Sequence, residues 1–306
     1  MKLSSTWIVV ADGRRPAGLV AARTLRKRLD TVWQELSVAG GGSSRDAERV
    51  HRLRVATRRA LAALDAFRDL LPGKRADWFS KQLRRVRRAA GEARDLDVLT
   101  DRLTGASGKA GGGQARRRLV TMLAKQRDVS RQPIRIAYER LVDDWLERSE
   151  RLLAAIDTGR SQPTFRAYAR RRFRPMMRRF FSAADRKVRS ADELHALRIE
   201  GKKLRYALEI FSSMFSPRVR ARCSDALERL QETLGTFTDH AAAADRLRRL
   251  ADEPAAAANR DELERLRALE EHQADQARKA FMKWWDADRR RALRRRFEQT
   301  LRRASA

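Results

Sequence analysis

The chain has 306 residues, of which 42 % are hydrophobic and 36 % charged, and its 70 basic against 40 acidic side chains give a formal net charge of +30. This length suits one large domain or two of about 150 residues, and the 7 % aromatic content favours long helices with slim cores over a sheet protein. The charge exceeds what solubility requires and indicates a polyanionic partner: nucleic acid, an anionic membrane face or polyphosphate.

Cysteine usage and hydropathy exclude further classes of protein. Cys223 is the only cysteine, so the chain can form neither an intramolecular disulfide nor a metal-thiolate cluster. The apolar run at residues 7–11 (WIVVA) is too short for a signal peptide or a membrane span. We therefore expect a soluble, cytoplasmic protein.

Apolar residues spaced three and four apart predict helices along most of the chain, separated by breaks rich in glycine, serine and proline. No alternating apolar pattern is long enough for a sheet, so the predicted fold is all-α, with long antiparallel helices in bundles. Asp46 is a candidate N-cap for the second helix. The predicted helices span about residues 17–36, 46–71, 74–103, 114–131, 133–157, 164–186, 190–215, 218–250 and 261–303.

The segment at residues 51–103 occurs twice, with an offset of 144 residues and no gap. HRLRVATRRALAALDAFRDLL aligns with HALRIEGKKLRYALEIFSSMF, and LRRVRRAAGEARDLDVLTDRL aligns with LERLQETLGTFTDHAAAADRL. Each copy should form one structural unit. The sequence therefore predicts an internal duplication with a pseudo-two-fold axis, in which residues 17–157 and 161–304 form similar halves of a single domain spanning 1–306.

A helical wheel places a cationic ridge beside the apolar seam of each motif helix, where the charges line a groove between packed helices. Residues three, four and seven apart lie about 5–10 Å apart along the axis, close enough for successive phosphates to meet successive cations. Arginine binds phosphate oxygens in pairs and lysine supplies a point charge. The ridge positions are His51, Arg54 and Arg58 in the first copy and His195, Arg198, Lys202 and Arg205 in the second.

The two histidines allow two interpretations. Beside a polyanion, the pKa of each imidazole should rise, and the protonated ring could donate to a phosphate oxygen. Alternatively, each ring hydrogen-bonds a carboxylate or carbonyl inside a bundle. Their matched positions, each followed three residues later by arginine, favour contact with an anion. Arg59 and Lys203, which follow ridge cations directly, either contact the ligand or point into solvent.

Other repeated residues suggest structural roles. Gly91 and Gly235 are expected at a close helix crossing, and Asp95 and Asp239 are expected to orient arginines. An Asp95–Asp97 metal pair is disfavoured because Ala241 occupies the position that matches Asp97, so we predict no metal site. The densest basic run, which includes Arg170, Arg171, Arg174 and Arg178, is either a solvated face or an extension of the groove.

The segments HRLRVATRR, LRRVRRAAGEARDLDVL, LHALRIEGKKLRYALEIF and LERLQETLG resemble the CHAD family (conserved histidine α-helical domain). This resemblance spans nearly the whole chain, and H-x-x-R-[VI]-x-x-[RK]-[RK] recurs in both halves. It implies an all-helical fold of two similar bundles with a basic central groove that binds inorganic polyphosphate. It also implies association with polyphosphate granules, granule proteins or polyphosphate-metabolising enzymes.

The match to the family motif implies a polyphosphate-binding role for specific residues of this chain. Arg84 and Arg88, with the basic run above, are candidate extensions of the groove. The second copy departs from the first there, because Glu228 and Glu232 stand at the positions of Arg84 and Arg88, so the second half is expected to bind less well. The residues that inherit the role are His51, Arg54, Arg58, Arg59, His195, Arg198, Lys202, Lys203 and Arg205.

Three functions compete. Non-catalytic binding of polyphosphate predicts high avidity and steep salt dependence, by the logic of counterion release. Nucleic-acid binding predicts exposed aromatics among the basic residues, whereas most aromatics here have core spacing, so nucleic acid is expected only as a weak competitor. A metal-dependent phosphoanhydride hydrolase needs carboxylates that hold a divalent ion, and the ridges offer none. We predict the first function, with no catalytic residues and no cofactor.

Overall fold

The computed structural model describes residues 7–42, 46–105, 114–186 and 190–303. Within these ranges most of the backbone is helical and no β-strand forms, although Pro16 and Thr164 make one isolated bridge. The predicted all-α fold is confirmed. In chain order the helices are α1 (Ala17–Gly40), α2 (Ala47–Ala66), α3 (Gly73–Gly105), α4 (Gln114–Val129), α5 (Gln132–Glu139), α6 (Trp145–Ala154), α7 (Phe165–Asp185), α8 (Ala191–Ile210), α9 (Pro217–Ala251), α10 (Arg260–Trp284) and α11 (Ala287–Arg303).

The two helices that carry the repeated motif, α2 and α8, begin with side-chain caps. Asp46 Oδ1 accepts a hydrogen bond from Glu48 N at 2.8 Å, which confirms the predicted N-cap of α2. Ser190 and Glu193 form a reciprocal capping box at the start of α8. Such caps satisfy backbone N–H groups that have no partner within the helix. Each cap lies five residues before the motif histidine, so both motif helices start in the same register.

Two of the predicted helices are divided in the structure. Residues 133–157 contain α5 and α6, separated by a turn, and residues 261–303 contain α10 and α11. The second division follows from Asp286, because its Oδ1 accepts a hydrogen bond from Arg289 N at 2.8 Å and so caps a new helix. Neither division contains glycine or proline, the residues that mark a helix break in a sequence, and the prediction of continuous helices was therefore wrong.

The chain forms two compact units, and three helices, α1, α9 and α10, are divided between them. One unit, here the α2–α3 unit, contains Leu25–Ile156 and Asp245–Arg267. The other, here the α8–α9 unit, contains Met1–Thr24, Asp157–Ala244 and Ala268–Ala306. The change of unit at residue 157 coincides with the end of the predicted first half. Residues 17–24 of the predicted first half belong to the α8–α9 unit, and residues 245–267 of the predicted second half belong to the α2–α3 unit.

Each unit has an aromatic core of its own. In the α2–α3 unit, the buried Trp145 contacts Trp33 and Phe79, with ring centroids 5.9 and 5.2 Å away. In the α8–α9 unit, Phe173 packs edge-on against Phe215 at 5.2 Å. Such pairs stabilise a core beyond the area that they bury. Each bundle is therefore held by its own aromatic contacts, and the motif helices are built onto these cores.

No helix in the part of the chain that the structure describes is long and apolar enough to cross a membrane.

Candidate functional site

The helices α2 and α3 are antiparallel neighbours. Arg54 of α2 donates to Ala90 O of α3 at 3.3 Å, whereas Arg68, farther along the chain, pairs with Asp77 near the start of α3 at 2.8 Å. The apolar face of α2 is buried in this unit, and the four cationic motif positions beside it are half-buried. Those cations are His51, Arg54, Arg58 and Arg59.

Arg54 of α2 is held by contacts with α3. Its Nη1 donates to Arg87 O at 3.4 Å and to Ala90 O at 3.3 Å. A Cβ built on Gly91 would lie 3.5 Å from the same nitrogen. Burial, followed by repulsion from Arg58, lowers the pKa of Arg54, and Asp95 opposes this shift. The guanidinium is therefore fixed across two helices and remains charged at neutral pH.

Positive charge accumulates around this arginine. Burial, followed by the charge of Arg94, lowers the pKa of His51, and Arg58 and Arg54 lower it further while Glu48 opposes them. Desolvation, followed by repulsion from Arg58, Arg84 and Arg88, lowers the pKa of Arg87. The residues that affect one another in this way form one set of basic side chains on two helices. We call it the α2–α3 cluster: His51, Arg54, Arg58, Arg84, Arg87, Arg88 and Arg94.

Sequence reasoning missed two members of this cluster, Arg87 and Arg94. Neither is repeated, because Gln231 and Thr238 occupy the matching positions in the second copy. The signal that could have found them is helical periodicity: Arg87 follows Arg84 by three residues and precedes Arg94 by seven, which places all three on one side of α3.

The α8–α9 unit repeats the arrangement around Arg198. Its Nη2 lies 3.5 Å from Asp239 Oδ1, and a Cβ built on Gly235 would be 3.6 Å from the same nitrogen. Gln231 Nε2 donates to Arg198 O at 3.2 Å. Arg54 and Arg198 therefore occupy matched sites, each against a glycine and near an aspartate. This similarity supports the predicted internal duplication.

The other predicted cations of α8 have different surroundings. His195 and Lys203 are exposed, whereas Lys202 and Arg205 are half-buried. Lys203 Nζ pairs with Glu200 Oε1 on the same helix at 2.5 Å. The Arg205 guanidinium lies over the ring of Tyr206, 5.2 Å from its centroid. This ridge thus contains internal contacts that would compete with an anionic ligand.

The glycine that brings two motif helices together is Gly201, not Gly235 or Gly91. A Cβ built on Gly201 would be 2.5 Å from Gln231 Nε2 and 2.9 Å from Leu230 Cδ2, both on α9. Among the described atoms outside the backbone of each glycine's own helix, those within 4 Å of such a Cβ belong to Arg54 at Gly91 and to Arg198 at Gly235. The expectation that Gly91 and Gly235 mark a close helix crossing was wrong: they make room for arginine side chains.

The arginines of α7 lie on more than one face of that helix. Phe180 packs towards α8, since its ring is 3.6 Å from a Cβ built on Gly201. With about 100° per residue, Arg171 and Arg178 lie about 180° and 160° around α7 from Phe180, and Arg174 about 120°. All three are exposed and turned away from α8, whereas Arg170 is half-buried. The structure does not bring the first three next to the α8 ridge.

Asp97 belongs to an internal ion-pair group. It is fully buried, with its Oδ1 3.2 Å from Arg127 Nε and 3.5 Å from Arg131 Nη2. Burial raises the pKa of Asp97, while the two arginines, Arg131 first, oppose the shift. In the described ranges no group of three or more His, Cys, Asp or Glu side chains is placed to hold a metal ion. The geometry thus assigns Asp97 to the packing of α4 on α3.

Comparison with known proteins gives a consistent result. A family model described as the CHAD domain matches residues 23–248. The chain is similar to the crystal structure of the CHAD domain from the plant Ricinus communis, with a TM-score of 0.72 and 23 % identity over 95 % of this chain and 96 % of that one. It is also similar to PptA from Streptomyces chartreusis, with a TM-score of 0.64 and 19 % identity over 88 % and 99 % of the two chains. No curated protein sequence matches it. At these identities the two structures share the fold.

Proposed function

The chain belongs to the CHAD domain family, and from this membership and the α2–α3 cluster we propose that it binds inorganic polyphosphate without catalysing its conversion. The observation that carries the proposal is that Arg54 of α2 donates to Arg87 O and Ala90 O of α3 at 3.4 and 3.3 Å, which brings the basic residues of the two helices together. Like charges held together destabilise the unliganded state, and a polyanion relieves that repulsion. Binding is therefore favoured over ordinary counterions.

The binding mode follows from the chemistry of the side chains. Arginine forks donate to phosphate oxygens in pairs, and arginines on α2 and α3 meet a chain of phosphates from two sides. Each phosphate contact releases a counterion, so affinity should fall steeply with salt. In the second unit, Arg198 and Lys203 already have carboxylate neighbours at 3.5 and 2.5 Å. We therefore assign the stronger site to the α2–α3 cluster and a weaker one to His195, Arg198, Lys202 and Arg205.

Nucleic acid is the alternative ligand. Single strands bind on exposed aromatic platforms, but the cluster contains only arginines and a histidine. Four aromatic side chains in or beside the motif sequences are buried: Phe67, Phe79, Tyr206 and Phe211. This composition favours a phosphate chain without bases, and we expect nucleic acid to compete only weakly.

The cellular role follows from the ligand. A protein that binds long polyphosphate at many points would reside in the cytoplasm at polyphosphate granules, beside granule proteins or polyphosphate-metabolising enzymes. We propose this location and these partners as a consequence of binding. Any hydrolysis of the chain is assigned to such a partner enzyme.

The test is calorimetric titration with long-chain polyphosphate and, at equal phosphate concentration and salt, with a single-stranded oligonucleotide. Arg84→Ala/Arg87→Ala/Arg88→Ala removes three exposed members of the cluster and should keep the fold. Arg135→Ala/Arg140→Ala/Arg151→Ala removes the same charge from exposed positions on and beside α5 and α6. Loss of three phosphate contacts should reduce the slope of log K against log salt by about 2.

The proposal predicts a weakened cluster variant, a control like the wild type, and much weaker binding of the oligonucleotide. Equal weakening in both variants would mean that the net charge acts diffusely. Equal affinity for both ligands would favour the nucleic-acid alternative. Circular dichroism of each variant shows whether its helices are intact.

A further inference from the structure

Two arginine-rich helices outside the repeated motif, α7 and α11, pack side by side in the α8–α9 unit. The ring of Phe297 on α11 lies 5.6 Å from that of Phe173 and 6.2 Å from that of Phe181, both on α7. Arg294 of α11 pairs with Asp185 of α7 and lies over the ring of Phe181, 4.8 Å from its centroid. These contacts define a seam with a phenylalanine interior and one ion pair across its surface.

Arginines flank this ion pair on both helices. On α7, at about 100° per residue, Arg174 and Arg178 each lie within about 20° of Asp185, and Arg171 lies beside them. On α11, three arginines lie on the same side of Phe297 around the helix axis. Arg294 is the nearest of them to Phe297, and Arg291 and Arg295 lie farther round. The five arginines beside the ion pair are exposed, and we call them the seam arginines: Arg171, Arg174, Arg178, Arg291 and Arg295. Arg294 and Asp185, which form the pair, are not included.

Arginines outnumber carboxylates in the two helices of the seam. The sequence of α7 contains seven arginines and one carboxylate, and that of α11 contains eight arginines and two carboxylates. Asp185 is paired with Arg294, and Asp288 with Arg291. The surplus of arginine in these two helices gives a positive field, and a field of this kind attracts an extended anion.

From this juxtaposition we propose that the α7–α11 seam is a further polyphosphate-binding surface, separate from the α2–α3 cluster and from the weaker site assigned to α8. It rests on the function proposed above because it takes the same ligand. Arg171, Arg174 and Arg178 follow one another at helical spacings of about 4.5 and 6 Å along the axis, and Arg291 and Arg295 of α11 flank Arg294, whose partner Asp185 is the last residue of α7. The aromatic rings beneath them are buried, so the surface offers no platform for bases and suits a chain that has none.

A further surface gives the protein an additional function. A protein with separate surfaces for polyphosphate can hold more than one polyphosphate molecule at once and so link them. Linking increases with the number of surfaces, whereas binding needs only one. The two properties are therefore separable by mutation.

The test compares wild type, the seam variant Arg174→Ala/Arg178→Ala/Arg295→Ala, the cluster variant Arg84→Ala/Arg87→Ala/Arg88→Ala and the control Arg135→Ala/Arg140→Ala/Arg151→Ala. Short-chain polyphosphate is titrated by calorimetry to count binding steps, and light scattering with long-chain polyphosphate reports linking. We expect one binding step fewer in the seam variant, and one fewer in the cluster variant, than in wild type and control. Scattering should fall in both.

The outcomes separate this inference from the proposed function. If the seam variant matches the control in binding steps and scattering, the seam is not a binding surface, although the cluster stands. If wild type binds no polyphosphate, the proposed function itself fails. If the seam variant loses only the binding of duplex DNA, added as a parallel titrant, the surface is a nucleic-acid site and the assignment to polyphosphate is overturned.

Discussion

Arg54 and Gly91 face each other across α2 and α3: a Cβ on the glycine would lie 3.5 Å from Arg54 Nη1. The relation recurs at 3.6 Å between Arg198 and Gly235. An added methyl group at 3.5 Å makes an ordinary van der Waals contact, but a larger side chain would occupy the volume of the guanidinium. The glycine thus leaves space for the arginine side chain, and the two units match in this respect.

The same substitution should have opposite effects at two helical glycines. Gly91→Ala is expected to raise the melting temperature slightly, because alanine in a helix is more favourable than glycine by about 1 kcal/mol. Gly201→Ala should lower it, because its Cβ would be 2.5 Å from Gln231 Nε2 and 2.9 Å from Leu230 Cδ2. Thermal unfolding followed by circular dichroism measures both.

Gly91→Leu extends this comparison to binding. The leucine should displace Arg54 and weaken the binding of polyphosphate, whereas Gly91→Ala should leave it unchanged. Equal affinity of all three proteins would show that the position of Arg54 is irrelevant to the ligand.

Stability should fall on acidification because of His51. Burial, then the charge of Arg94, places the pKa of this histidine in the folded protein below its ordinary value of 6.5. The unfolded chain therefore binds more protons at intermediate pH, and stability that is complete above about pH 6.5 is lost as the pH falls towards the lower, folded value. Urea unfolding at several pH values between 8 and 5 measures this change.

His51→Gln is the matched control for that measurement, since it keeps a polar side chain but cannot titrate. The variant should show a smaller loss of stability than wild type across the same pH interval. Identical pH profiles for the two proteins would assign the loss to other groups.

Charge reversal on α9 should strengthen binding. Glu228 and Glu232 are exposed and match Arg84 and Arg88 of the cluster. In Glu228→Arg/Glu232→Arg, each arginine that contacts a phosphate should steepen the salt dependence of polyphosphate affinity by about 0.7 in the slope of log K against log salt. Calorimetric titration at three salt concentrations measures the slope.

The control Glu139→Arg/Asp143→Arg makes the same change of charge at exposed positions at the end of α5 and beyond it. It should alter the slope much less. If both variants gain affinity equally, only the net charge matters, and the ridge of α8 with the matching face of α9 is not a binding site.

Cys223 should not react in the native protein. Its side chain is fully buried, and burial raises the pKa of the thiol to about 12, so almost no thiolate is present at neutral pH. A chromogenic disulfide reagent should label the thiol only after denaturant is added. Rapid labelling of the folded protein would show that the α9 environment opens readily.

Much of the candidate site could be predicted from the repeat. The offset of 144 residues aligned Arg54 with Arg198 and Gly91 with Gly235, and the structure gives both pairs the same contact. The repeat therefore indicated which arginine and glycine would share surroundings, but not that each glycine makes room for its arginine. The motif histidines differ, since His51 is half-buried and His195 is exposed. Arg87 and Arg94 do not recur, and only their proximity to Arg58 and His51 shows that they belong to the cluster.

The sequence by itself determined the all-α fold, the excess of positive charge and the ridge on each motif helix, because periodicity decides which residues share a face of one helix. Tertiary structure decided which faces meet. Packing assigned the close crossing to Gly201, turned Arg174 and Arg178 away from α8 and placed α11 beside α7. These three features depend on contacts between residues far apart in the chain. A helical wheel does not show which helix packs against a given face.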